Sequence, residues 1–308
     1  MIVVDRLRKT YGATTALAEV SFEVQAGEIV GLLGPHGAGK TTLLRILSGH
    51  TPASGGRALV AGHDVSTQPL AVRQRVGYLP AAVPLYAEMT VWDFLAFIAA
   101  AKGVPRRAAA VAEVLATCGL QEVARRRIGS LSLAQRRWVG LAQALLGPPA
   151  VLLLDAPTAG LDPAQRTAVY RLLAALTPRP TVLLSTTELA EACQLCQRIV
   201  ILHAGRLRAI ETPRRLRAYE QPYGLLALEI EGPQALVVYR LRQIDGVIDV
   251  EPGESGTAGV RRYTVLTDRD LRAALAQAVV QCGWHLRELR PLSSTLADVL
   301  PQLMADHA

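Results

Sequence analysis

The segment "EIVGLLGPHGAGKTTLLRIL", Glu28 to Leu47, leaves the chain little choice of architecture. An apolar strand runs into glycines, and the stretch from Gly34 to Thr41 then opens a helix in the pattern GxxxxGK[ST]. A strand that feeds a helix through so tight a loop is the beginning of a parallel sheet covered by helices. The glycines let the backbone curl until its N–H groups point inward, and the helix start adds a positive dipole, so the loop reads as a cradle for phosphate. Lys40 is placed to reach the outer phosphates and Thr41 to put its hydroxyl on a magnesium ion.

The remaining pattern supports that sheet. Apolar runs such as "AVLLLD", "TVLLS" and "RIVILHAG" alternate with helical stretches such as "AQRRWVGLAQALLG" and "PAQRTAVYRLLAALT". Strands this continuously apolar are buried on both faces. From about Thr90 to Leu131 the pattern is instead one of consecutive helices, which predicts an α-rich subdomain inserted at about 85–145. After Tyr219 the order becomes βαββαβ, from "YGLLALEIE" to "WHLRELRP", which is the ferredoxin-like split unit. A last amphipathic helix, "SSTLADVLPQLMADHA", follows with Ser293 or Ser294 as N-cap. The expected division lies near Gln221 and Pro222, giving domains 1–220 and 221–308. The fold class is therefore α/β, a phosphate-loop nucleotide-binding fold with a mostly parallel sheet and an inserted helical subdomain, followed by a small α+β ferredoxin-like domain.

Composition narrows the function. Half of the 308 residues are apolar, enough for a large core. The net charge of +7 comes with basic clusters at Arg125 to Arg127, at Arg136 with Arg137, and in "PRRLR" at Pro213 to Arg217. These arginines are interleaved with Leu and Ala, and aromatics make up only 5% of the chain, so stacking platforms for bases are missing and no nucleic-acid partner is expected. Solvated helix faces are the simpler reading. The four cysteines do not make a disulfide framework in a chain of this length, and the Cys193–Cys196 pair lies in a helical stretch without the second pair that zinc requires. The start "MIVVDRLRKTYG" is charged too early for a signal peptide, and no apolar run approaches the ~20 residues of a spanning helix, so a membrane connection must come through a partner.

Asp155 closes the apolar strand "VLLLD" and suits the second magnesium contact of a phosphate-loop NTPase. Many strands end in a turn aspartate, so the phosphate loop upstream gives this one its weight. Tyr11 precedes the loop and is able to stack on an adenine ring, or simply to pack.

These elements, in this order, resemble the ATP-binding subunit of ABC transporters. The phosphate loop, "VGYLP" at Val76 to Pro80, "LSLAQRRWVGLAQAL" at Leu131 to Leu145, "VLLLDAPTAGLDP" at Val151 to Pro163 and "LLSTTE" at Leu183 to Glu188 occupy the family's stations over about residues 1–215. The tail is similar to the C-terminal extension of subunits in the drug-export and gliding-motility branches. The resemblance implies ATP and Mg2+ as ligands. It assigns Tyr11, Gly34, Pro35, His36, Gly37, Ala38, Gly39, Lys40, Thr41 and Thr42 to ATP, and Thr41 with Asp155 to the metal. It also assigns Leu131, Ser132, Leu133, Ala134 and Gln135 to a signature that closes a second chain's site, and Asp162 to the loop between the two chains. The implied partners are a membrane-spanning permease and a second ATP-binding chain, identical or not, at the cytoplasmic face of the membrane.

The chain departs from that family at the reaction centre. Ala81 stands where a glutamine is expected, Ala156 where the glutamate after Asp155 is expected, Thr187 where a histidine is expected, Ala134 at a signature glycine and His36 at an asparagine. Alanine cannot orient or deprotonate water, and a phosphate-loop histidine is not expected to face the attacking water. The pattern predicts retained binding with lost chemistry. Two other readings stay open: a regulatory module without a transport role, whose C-terminal domain binds a ligand or protein, and an ordinary phosphate-loop kinase or GTPase. The latter leaves "LSLAQ" and "TAGLDP" unexplained.

Overall fold

The computed structural model describes residues 1–176, 180–219, 223–255 and 260–292. The expected terminal helix from Ser293 or Ser294, and the expected boundary at Gln221 and Pro222, lie outside the described residues. The chain forms two compact units, Met1–Ile210 and Glu211–Ala308.

The first unit opens with strands β1 (Ile2–Tyr11) and β2 (Thr14–Val24), then β3 (Ile29–Leu33), helix α1 (Lys40–Leu47), β4 (Gly55–Val60), β5 (His63–Asp64), α2 (Pro69–Arg75) and β6 (Val76–Leu79). Three helices follow, α3 (Val91–Ala101), α4 (Arg107–Thr117) and α5 (Leu133–Leu145), and then β7 (Val151–Asp155), α6 (Pro163–Leu176), β8 (Thr181–Thr186), α7 (Leu189–Leu195), β9 (Arg198–His203) and β10 (Arg206–Glu211). Six strands join in the order β10-β9-β3-β8-β7-β6, and every described pairing from β9 to β6 is parallel. All residues of β3 and β7 are buried, as their unbroken apolar runs require. Helices α3 to α5 close a separate apolar core around Phe94, Leu95, Val111, Leu115 and Val139.

Register is what builds the site. Leu33 pairs with Thr186, Asp155 with Ser185 and Leu79 with Leu154. The carboxyl ends of β3, β6, β7 and β8 therefore stop at one edge, and the loops that follow them meet there, the usual ligand position of an open parallel sheet.

A second sheet, β2-β1-β4-β5, is antiparallel and is not apparent in the sequence pattern. Its alternation is interrupted by register shifts along β1, and Arg6 and Glu19 take positive φ at 44° and 57°.

The second unit contains α8 (Pro213–Tyr219), β11 (Leu225–Glu231), α9 (Gln234–Arg242), β12 (Val247–Ser255), β13 (Val260–Thr267), α10 (Arg272–Gln281) and β14 (His285–Pro291). Its sheet order is β12-β13-β11-β14 with antiparallel pairing throughout, which is the ferredoxin-like arrangement of the βαββαβ unit. The units divide ahead of the expected boundary because α8 packs with the tail: Ala218 and Tyr219 lie against Leu266, and Arg215 pairs with Asp249 at 2.6 Å. The cluster "PRRLR" is thus not simply a solvated face, since Arg214 also pairs with Asp268.

Candidate functional site

Gly34 to Thr42 leave β3 and enter α1 without a side-chain cap and with no acidic residue in the first turn, so the helix start offers its N–H groups unopposed. Gly39, at φ +98°, is one of the positions where this loop demands glycine. A Cβ there would stand 2.6 Å from the Ala16 carbonyl oxygen. Lys40 Nζ donates to the carbonyls of Gly34 at 2.7 Å and Pro35 at 2.8 Å, which folds it back over the loop. Burial holds its ammonium below the ordinary lysine range, opposed by the charge of Asp155.

Facing the loop, Asp155 is 3% exposed. Its Oδ1 accepts from Ser185 Oγ at 2.6 Å, while Oδ2 is buried and has no hydrogen-bond partner among the described residues. A buried carboxylate oxygen left unsatisfied is costly, and a cation at this point removes the cost. Among the described residues no group of three or more His, Cys, Asp or Glu is placed to hold a metal. One carboxylate and the Thr41 hydroxyl therefore fit an ion that takes its other ligands from phosphate and water, as Mg2+ does.

One cavity of about 350 Å³ gathers His36 to Thr42, Ala81, Asp155, Ala156 and Thr187. The three positions predicted to lack hydrolytic side chains thus share the wall of the phosphate loop. Ala156 takes φ +47°, a left-handed conformation that costs a non-glycine residue about 1–2 kcal/mol. It is held there by its N–H, which donates to Ser185 Oγ at 3.0 Å, and by its carbonyl, which accepts from Arg137 Nη2.

Other predicted residues lie elsewhere. Tyr11 is half-exposed at the end of β1, under the Lys9 ammonium, and does not line the cavity, although Ala16 of the next strand does. Ser132 and Gln135 cap α5 reciprocally, and Leu133 is 71% exposed beside them. Asp162 caps α6 by accepting from the Gln165 N–H at 2.8 Å. None of the signature residues lines this chain's cavity.

Sequence reasoning missed the roles of three residues. Ser185 orients Asp155. Glu191, 4% exposed, accepts from the hydroxyls of Thr158 and Thr186 and so ties the turn after β7 to the end of β8. Arg137 corrects the expectation of a solvated face at Arg136 and Arg137, for it is 8% exposed. The available signal was its register: Arg137 lies on the stripe of α5 that also carries Gly140, Leu141 and Ala144, all buried. The Cys193–Cys196 pair is buried, and burial pushes the Cys196 thiol well above its ordinary range.

Comparison with known proteins bears on the same region. The pattern of the family described as "ABC transporter" matches residues 17–159. The doxorubicin resistance ATP-binding protein DrrA of Mycobacterium tuberculosis is 38% identical over 221 residues, 70% of this chain and 67% of that protein. The Nod factor export ATP-binding protein I of Burkholderia pseudomallei is 38% identical over 232 residues, 74% of this chain and 76% of that one. A solved ATP-binding subunit of an ABC transporter superposes with a TM-score of 0.65 at 29% identity, covering 70% of this chain and 92% of its own. A dimeric ATP-binding cassette bound to ADP and phosphate shares the fold, with a TM-score of 0.65 at 24% identity over 69% of this chain and 99% of its own.

Proposed function

The chain belongs to the ATP-binding proteins of ABC transporters, and from that premise we propose that it is a subunit that binds Mg-ATP tightly and hydrolyses it weakly or not at all. The observation that carries this reading is a single cavity in which an intact phosphate loop and the unpartnered Asp155 Oδ2 share a wall with Ala81, Ala156 and Thr187. Lys40, Thr41 and the main-chain amides of Gly37 to Thr42 hold the triphosphate, and Asp155 with Thr41 holds Mg2+. Held by Thr41 and Asp155, Mg2+ would supply positive charge against the phosphates. No side chain at 81, 156 or 187 is able to deprotonate water. His36 lines the cavity from the loop itself and has no base role in this proposal.

Bound ATP then acts as a lasting contact between two chains, with the exposed Leu133 and the capped Ser132 facing the second chain's nucleotide. Transport is driven by a partner ATPase with intact residues, together with a membrane-spanning permease at the cytoplasmic face. Among the described residues no helix is long and apolar enough to cross a membrane.

The test is binding against turnover in the purified chain. Saturable Mg-ATP binding is expected, with phosphate release about 10²- to 10⁴-fold slower than in a family member that retains its general base. An ordinary family turnover number would end the degenerate reading.

A further inference from the structure

We infer that Arg137 is the positioning residue for the metal side of this site: it sets the affinity for nucleotide complexed with Mg2+ and leaves the affinity for free nucleotide nearly untouched. The inference rests on Asp155 and Thr41 being the metal ligands, as proposed above.

Helix α5 reaches this position because two glycines let it lie directly on β6. A Cβ at Gly77 would stand 2.0 Å from the Ala144 carbonyl oxygen, and one at Gly140 would stand 2.8 Å from the Val83 methyls. The Arg137 guanidinium then passes the carboxyl edge of the sheet and spans two loops. Its Nη1 donates to the carbonyls of Pro80 at 3.3 Å and Ala81 at 2.7 Å. Its Nη2 donates to the carbonyls of Asp155 at 2.7 Å and Ala156, and Nε donates to that of Pro157 at 3.2 Å.

Each of these acceptors is a main-chain carbonyl. Burial pulls the guanidinium pKa down and the charge of Asp155 pulls it up, so the cation is desolvated beside the carboxylate. Filling the same space with an apolar side chain would avoid the desolvation cost, so packing alone does not account for an arginine here. What its planar fork supplies is simultaneous hold on the loop after β6 and the turn after β7. That turn contains the left-handed Ala156, pinned by Arg137 on its carbonyl and by Ser185 on its N–H. Asp155 is pinned in the same manner, its carbonyl by Arg137 and its Oδ1 by Ser185, which leaves Oδ2 in a fixed place. None of these bonds reaches the phosphate loop, where Lys40 holds its own contacts. The metal side and the phosphate side of the cavity are therefore separately supported.

The experiment measures the Kd of ATP by the full chain in Mg2+ and in EDTA, and takes the ratio as the metal enhancement. In Arg137→Gln the enhancement should fall about 10- to 100-fold, the range seen when groups that orient a metal ligand are removed, with the Kd in EDTA within about 3-fold of wild type. Arg137→Lys keeps the charge but not the fork and should fall between the two. An unchanged enhancement in a folded variant overturns the inference, as does a parallel loss in Mg2+ and EDTA, which would mark a structural tie only. If Arg137→Gln does not fold, Arg137→Lys decides alone by the same criteria. A wild-type chain without metal enhancement removes the metal assignment of Asp155 and Thr41, and this inference with it. Enhancement in the wild type that persists in the variants removes this inference alone.

Discussion

Lys40→Ala is expected to raise the Kd for Mg-ATP by roughly 30-fold to several thousand-fold, the range of about 2–5 kcal/mol for truncating one partner of a desolvated charge pair. In the free site the ammonium's hydrogen-bond acceptors among the described residues are the carbonyls of Gly34 and Pro35, so folding loses little when it is removed. Thermal unfolding should shift by a small amount while affinity collapses, and calorimetric titration beside a melting curve separates the two. The pH dependence of the wild type gives an independent check. Burial lowers the Lys40 pKa in the free site, and a bound phosphate anion raises it again, so binding takes up a proton in the alkaline range. Affinity should therefore fall as pH rises through the lowered pKa, and Lys40→Ala should lack that fall. Unchanged affinity in Lys40→Ala would remove the site from this loop.

Much of this site is legible in the sequence because its parts are local. A loop from Gly34 to Thr41 between strand and helix needs only adjacent residues to define it, and Asp155 closes a run too apolar to be anything but a buried strand. The ferredoxin-like order was legible for the same reason, since each of its strands and helices carries its own period. Sequence alone did not reveal what depends on register between distant strands. Ser185 matters because it pairs with Asp155 across β7 and β8, and Arg137 because α5 presses on β6 at Gly77 and Gly140. The antiparallel sheet was hidden by irregularities in β1 and β2 that break the two-residue period. Charge counting misled at Arg137 and Arg215, where long basic side chains turn inward to carbonyls or carboxylates instead of outward to water.

The double change Ala156→Glu with Thr187→His should raise ATP turnover by about 10²-fold, at the low end of what a restored general base contributes. Both side chains would project from the wall of the cavity that holds the phosphate loop. The backbone to carry a glutamate at 156 already exists: the left-handed turn is held by Ser185 and Arg137, and a glutamate pays no more than alanine for φ +47°. The gain should appear in kcat with KM nearly constant, because Lys40, Thr41 and Asp155 are untouched and the new groups act on water rather than on ATP. A carboxylate base should also give the new rate an acid limb that the wild type lacks. The full effect is not expected, since Ala81 still offers the metal and water no ligand, and the two single changes act as one unit and do not multiply. The signature sets a further ceiling. In a pair of identical chains each site is closed by "LSLAQ", in which Leu133 is exposed and Ala134 carries a Cβ where a glycine would allow closer approach. Pairing the double variant with a chain that has an intact glycine signature should therefore add to the rate beyond the double change alone. A double variant that binds Mg-ATP with wild-type affinity and still releases phosphate no faster would show that positions 156 and 187 are not the missing chemistry, and would move the deficit to Ala81 or Ala134.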